Sequence, residues 1–271
     1  MSLGGDAPYA DPSYIAKELL DRGNPDGAIL EFLRFICFST DSGEIAEAYV
    51  GIAHGYERLG MPEAAIAAQL MAVAYSQLDS VRDERRIDLA LLQFSCRHLS
   101  AAEIELLRVA NFSRYSVVRR RAGLFLGICN LYTGRWGEAR QALHAALACE
   151  EPVWAEVDSL LAQAERARPK SPSRARWLST FLPGAGQAYV GDWRNALNAL
   201  ILNSATGYFL AYCFLSRDWV TGLFTGLSLF QRYYLGQRQS AAELAERHNQ
   251  RENARHTGRV LRALAPRTGT Y

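Results

Sequence analysis

Four alanines in this chain stand at one spacing: Ala28, Ala65, Ala102 and Ala139, each 37 residues from the next. A second small residue lies 12 positions before each of them, at Ala16, Ala53, Ala90 and Gly127, and is preceded by Ile15, Ile52, Leu89 and Leu126. Seven residues after the alanines come Phe35, Ala72, Val109 and Ala146. Between the two small positions a glycine recurs at Gly23, Gly60 and Gly134, with Arg97 in the third copy. A fixed period of this length marks an array of structural repeats. Two helices pack closely only where a small side chain sits at their crossing. Each unit is therefore predicted to be a pair of antiparallel helices, small residues at the crossing, with the glycine reversing the chain. Ser100-Ala101-Ala102-Glu103 reads as a capping box, and Pro25 and Pro62 suit the first turns of second helices.

The order apolar, small, aromatic, turn, alanine, apolar resembles the tetratricopeptide repeat, with Tyr56 at that motif's aromatic position. Ile52-Ala53, Tyr56 and Ala65 match it best, then Leu126-Gly127 and Ala139; the copy near Arg86 to Leu107 departs from it at the turn and at the aromatic site. The family's unit is about 34 residues long, so the extra residues here are expected in the connections Ser39–Gly43 and Gln77–Asp83. The resemblance covers roughly residues 12–148. It implies an all-α solenoid over residues 12–168, made of four units and a capping helix, Pro152 to Arg166, after a disordered stretch 1–11. Terminal repeats need such a cover for their open face.

In that architecture the first helices line a concave groove that takes a protein partner. Carried over by position, one row is Lys17, His54, Leu91 and Ile128. A second is Leu20, Glu57, Phe94 and Leu131, and a third Asp21, Arg58, Ser95 and Tyr132. The first two units are thus polar and the last two apolar, which suits an extended or helical peptide with one apolar end. The alternative is that Phe94, Ile128 and Leu131 are simply covered by the capping helix.

Beyond residue 168 the composition changes. Residues 166–176, RARPKSPSRAR, carry five basic residues and two prolines and read as a hinge, with a basic linker at 169–176. From Asn195 to Ser216 no residue is charged, and a membrane-crossing helix needs about 20 apolar residues. Its polar residues, Asn198, Asn203, Ser204 and Thr206, are expected to face a neighbouring helix. Trp193 and Trp219 bracket it like interfacial aromatics. A second apolar stretch follows Arg217-Asp218, with a GxxxG at Gly222 and Gly226 that permits close helix approach in lipid. A membrane hairpin over 177–237 results, followed by a basic amphipathic tail over 238–271. Positive charge on both sides places both ends in the cytoplasm. The earlier segment around PGAGQ is too broken to span and is expected to be interfacial or re-entrant. The stretch containing Pro183, Gly184, Gly186, Gln187, Tyr189 and Gly191 resembles the "PGxGQxYxG" motif of bacterial two-transmembrane domains of uncharacterised function, some preceded by tetratricopeptide-like regions. That resemblance implies a bacterial membrane location and supplies no reaction.

Catalytic patterns are missing from the sequence. Gly184-Ala185-Gly186 has no third glycine at dinucleotide-binding spacing, and there is no P-loop, HExxH or GxSxG. The five cysteines are widely spaced without a CxxC, and the five histidines are scattered, so no disulfide framework, metal site or cofactor is expected. A formal net charge of +2 gives no case for nucleic acid. The arginine clusters suit anionic lipid headgroups. The expected protein is a non-enzymatic, membrane-anchored scaffold at the bacterial inner membrane with cytoplasmic repeats, or else a structural subunit whose hairpin packs against a larger membrane protein.

Overall fold

A computed structural model of the chain describes residues 12–147, 151–218, 220, 224–225, 228 and 236–268. The thirteen elements among these residues are all helices, and no strand occurs in them. The chain divides into two compact units, one within Met1–Asp158 and Ala263–Tyr271, the other within Ser159–Arg262.

The first unit is built from α1 (Pro12–Asp21), α2 (Pro25–Phe38), α3 (Ser42–Arg58), α4 (Pro62–Tyr75), α5 (Asp79–Ser95), α6 (Leu99–Phe112), α7 (Ser116–Tyr132), α8 (Trp136–Leu147) and the start of α9 (Glu151–Arg166). The second helices of the hairpins begin at residues 25, 62, 99 and 136, and the first helices α3, α5 and α7 at 42, 79 and 116. The 37-residue sequence period is therefore the period of the helix boundaries themselves. From α1 to α8 consecutive helices pack side by side, which makes an all-α solenoid of tetratricopeptide-like hairpins. Its crossing points lie where the small residues predict: Ala28, Ala65, Ala102 and Ala139 are fully buried, as are Ala16 and Ala90. A Cβ at Gly127 would run into Leu143.

Every hairpin turns in the same way. Gly23, Gly60 and Gly134 hold φ of +78°, +68° and +72°, and Arg97 takes the same left-handed conformation at +67°. In each turn the next residue donates to the carbonyl five positions back: Asn24 to Leu19, Met61 to Tyr56, His98 to Gln93 and Arg135 to Asn130, all at 2.9–3.0 Å. These are Schellman closures, which favour glycine because a Cβ is penalised at positive φ. Arg97 pays that penalty. Arg97→Gly is expected to stabilise the array by up to about 1 kcal/mol, net of the greater freedom glycine has when unfolded. Urea midpoints of the two chains check this.

Two further repeated positions hold the connections between units. Ser39, Ser76 and Ser113 leave the second helices with extended backbone, and each N–H donates to the carbonyl four residues back. Arg82 and Arg119, also 37 apart, reach back and donate to the carbonyls of Ser76 and Ser113 at 3.0 and 3.2 Å.

The second unit contains the rest of α9, then α10 (Pro172–Phe181), α11 (Ala185–Val190), α12 (Trp193–Leu215) and most of α13 (Gly236–Thr268). A helix starts inside the stretch read as a linker. Ser171 Oγ accepts from the Arg174 N–H at 3.3 Å and Pro172 occupies the first turn, so an N-cap and a pre-set φ outweigh the hinge-like composition. Residues 1–11, Trp219, Gly222 and Gly226 lie outside the described residues.

Candidate partner groove and the PGxGQxYxG packing knot

On the predicted groove face of α1, α3, α5 and α7, Lys17, His54, Glu57 and Arg58 are exposed, whereas Leu91, Phe94 and Ile128 are half-buried. His54 Nδ1 and Glu57 Oε2 pair at 3.0 Å. The Arg58 guanidinium donates to the Leu20 carbonyl and so braces α3 against α1. Phe94 meets Tyr132 edge to face, ring centroids 5.1 Å apart, and Tyr132 keeps 49% of its surface exposed. Leu91 and Phe94 also pack on the core cluster of Ile87, Ala90, Ala102 and Leu106. Leu131 is fully buried, and Leu20 nearly so; neither presents a groove surface. Their register lies on the border between the groove face and the packed face. An aliphatic side chain there turns inward, while Glu57 at the equivalent position turns to water.

Charged residues repeat on the same helices. Arg85 pairs with Glu47, and Arg121 with Glu84 at 2.6 Å, tying α3 to α5 and α5 to α7. Asp88 stands beside them. Burial pushes its carboxyl above the ordinary value of 3.8, opposed by Arg121, Arg85 and His54. Just above that value the folded chain keeps a proton that the unfolded chain has released, so stability falls as pH rises through that window. Asp88→Asn is expected to flatten this slope, which urea midpoints measured across acidic pH would show.

The sequence reading did not find a groove of about 840 Å³ between α6, α7 and α8. Leu107, Leu126 and Ala142 line it, with Arg119 and Arg120 near the start of α7 and Glu103 and Glu138 near its end. Arg135 joins both glutamates, at 2.6 and 3.0 Å. Asn130 lies in its wall, almost wholly buried, with an Oδ1 that has no partner among the described residues. Asn130 and the buried Gln93 occupy the register of Tyr56, 37 residues apart. The departure from the aromatic position was visible in the third copy as a weakness of the repeat, not as a polar site.

In the second unit, the residues of the PGxGQxYxG stretch build a packing knot. Gly186 lies so close to the Ala175 carbonyl and Ser179 Oγ that a Cβ would overlap both and crowd Ala241. Ser179 Oγ accepts from the Gly186 N–H and donates to Gln187 Oε1, each at 3.1 Å, and both side chains are buried. Gly184, at φ +92°, fits against the Ala196 carbonyl of α12 with no room for a side chain. Gly191, at φ +95°, ends α11, and Asp192 then caps α12 through the Asn195 N–H. Tyr189 receives the Ser171 N–H at 3.3 Å, and Lys170 Nζ stands 4.8 Å from its ring centre. Asn249 of α13 exchanges two hydrogen bonds with the Lys170 backbone, at 2.8 and 2.7 Å. Pro183 is half-buried at the bend before α11. The conformations demanded of Gly184, Gly186 and Gly191 explain their residue type.

α12 is the one helix among the described residues long and apolar enough to cross a membrane. Only 17% of its most apolar window is buried. Leu197, Ile201, Tyr208, Tyr212 and Phe214 are among its exposed side chains. Asn203 and Thr206 donate to the carbonyls of Ala199 and Leu202 in their own helix, at 2.7 and 2.9 Å. Each thereby satisfies one donor within its own helix. No group of three or more potential metal ligands occurs among the described residues.

The fold thus defines an all-α repeat protein with tetratricopeptide-like hairpins, followed by a second helical unit. No family model and no curated protein matches the chain. Among solved structures it is similar to one titled "Crystal structure of MamA", with 24% identity and a TM-score of 0.42, over 52% of this chain and 77% of that one.

Proposed function

We propose that this chain is a non-enzymatic scaffold that is anchored in a membrane by α12 and holds a protein partner on its helical array. The reading is carried by α12. A 23-residue helix whose apolar side chains stay exposed has the surface of a lipid-facing segment and not that of a core helix, which would be mostly buried. The array adds a surface of the type that takes peptides: polar at His54 and Glu57, aromatic at Phe94 and Tyr132. With α12 as the first arm of a hairpin that crosses twice, the arginines before α10 and in α13 lie on one side and support a cytoplasmic location for the array at a bacterial inner membrane.

Carbonate washing of membranes that contain the full chain tests the anchor. Retention in the pellet is expected, and release into the supernatant would remove the reading. Cross-linking of the full chain in membranes, followed by purification, tests the partner. Leu91 is a poor probe, because it packs on the core and Leu91→Glu is expected to loosen the array. Tyr132→Glu changes an exposed side chain and is expected to remove the cross-linked species with circular dichroism unchanged. If Tyr132→Glu and Lys17→Glu both leave the cross-links intact, the groove assignment fails.

A further inference from the structure

α10 carries an exposed apolar face. Trp177, Phe181 and Leu182 are 63%, 80% and 57% exposed, and Leu178 beside them is exposed as well. Positions 174, 177, 178 and 181 fall on one side of a helix of period 3.6, and Leu182 follows at its extended C-cap. The opposite side is sealed: Ala175 and Ser179 are buried against Gly186, and Ala175 clusters with Ala241 and Ala245. The Trp177 and Phe181 rings stack with centroids 5.9 Å apart. α10 cannot roll this face inward, because Gly186 already fills the inward side to backbone contact.

Two observations indicate what covers the face. The first is charge: from Arg166 to Gly191 there is no acidic residue, while Arg166, Arg168, Lys170, Arg174 and Arg176 precede or sit on α10. The second is continuity. α10 packs on α11 and α11 on α12, and Gly184 fixes the bend against the Ala196 carbonyl at the start of α12. The face is therefore held next to the exposed Trp193 end of the candidate span.

We propose that α10 lies in the headgroup layer of the bilayer, with the Trp177–Phe181 pair among the upper acyl chains and Arg174 and Arg176 on anionic lipid phosphates. This rests on the reading of α12 as a membrane anchor. The Trp177 indole is amphipathic and suits the interface, Phe181 adds apolar area, and the 10-residue helix is too short to cross. Nearby arginines favour anionic lipid by roughly five-fold per charge. In this arrangement α10 is a foot that sets the depth and tilt of α12 through the rigid glycine bend.

The test uses the full chain and its Trp177→Phe variant in phosphatidylcholine vesicles with or without phosphatidylglycerol. The difference in emission between the two chains isolates Trp177. Flotation with the vesicles is measured first. The expected result is that both chains float. The Trp177 share of the emission is then quenched several-fold more by lipid brominated near the headgroups than by aqueous iodide. The effect is stronger with phosphatidylglycerol, and Arg174→Gln/Arg176→Gln removes that preference. Chains that float while the Trp177 share is quenched by iodide and not by bromolipid overturn the inference and leave the anchor standing. Chains quenched by neither have the face covered by protein, which overturns it as well. Equal quenching with and without phosphatidylglycerol overturns the anionic assignment, and chains that do not float overturn anchor and foot together.

Discussion

Gly186→Ala is expected to dismantle the second unit. The new methyl would overlap the Ala175 carbonyl and Ser179 Oγ and press on Ala241. A backbone carbonyl cannot swing aside as a side-chain tip can. The cost is therefore expected at the upper end for overpacking, about 3 kcal/mol or more. Ser179 would also lose its bond from the Gly186 N–H, which leaves buried polar groups unpaired. Hydrogen exchange on the full chain in detergent should show protection lost across α10, α11 and the Asn249 region of α13. The array should keep its own protection. Gly207→Ala is the control, because nothing lies within 4 Å of a Cβ there, and helix propensity predicts a gain of up to about 1 kcal/mol. Equal behaviour of the two variants would show that the knot does not hold the unit.

Phe32→Ala is expected to cost the array about 3–5 kcal/mol. Phe32 is 2% exposed, and its ring fills the space above Gly51 that a Cβ would otherwise occupy. It belongs to the cluster of Ala28, Ile29, Ala48 and Ile52, which joins α2 to α3. In an array where each unit touches only its neighbours, a loss at one junction acts locally. α1 to α3 should therefore lose exchange protection before α6 to α8. The pairing with Gly51 gives a second signature. Gly51→Ala alone clashes with the ring, but in the Phe32→Ala chain it fills part of the void. A double-mutant cycle should give a large coupling, and additive costs would show that the ring and the glycine do not share that space.

The array was legible because its information is periodic. The positions of Ala28, Ala65, Ala102 and Ala139 fixed where helices cross, and Gly23, Gly60 and Gly134 fixed where they turn. Arg97 broke the turn pattern in sequence but not in space, because the packing of α5 on α6 and the turn's own bonds, Arg97 N–H to the Phe94 carbonyl and His98 N–H to the Gln93 carbonyl, hold the backbone to that geometry. α10 was hidden for the opposite reason. RARPKSPSRAR has the composition of a hinge, and only the local order Ser171-Pro172 carries the start of a helix. The groove rows named Phe94 and Tyr132 in different rows, and the edge-to-face contact of their rings was not among the expectations, while Leu131 lies in the core. Register gives a face, and the choice between two faces at its border is made by side-chain chemistry. Gln187 and Ser179 are eight residues apart with no periodic relation, so their buried bond could not be read from the sequence. The Asn130 groove depends on three helices meeting and has no one-dimensional signature.

The identical closures at Gly23, Gly60, Arg97 and Gly134 make each hairpin an interchangeable cassette. Excising or duplicating 37 residues between equivalent points rejoins a helix end to the same kind of helix start, with a small residue again facing a small residue. Any other length would rotate the seam out of phase and set bulky side chains against one another. The array itself can thus be lengthened or shortened in whole steps without inventing a new junction.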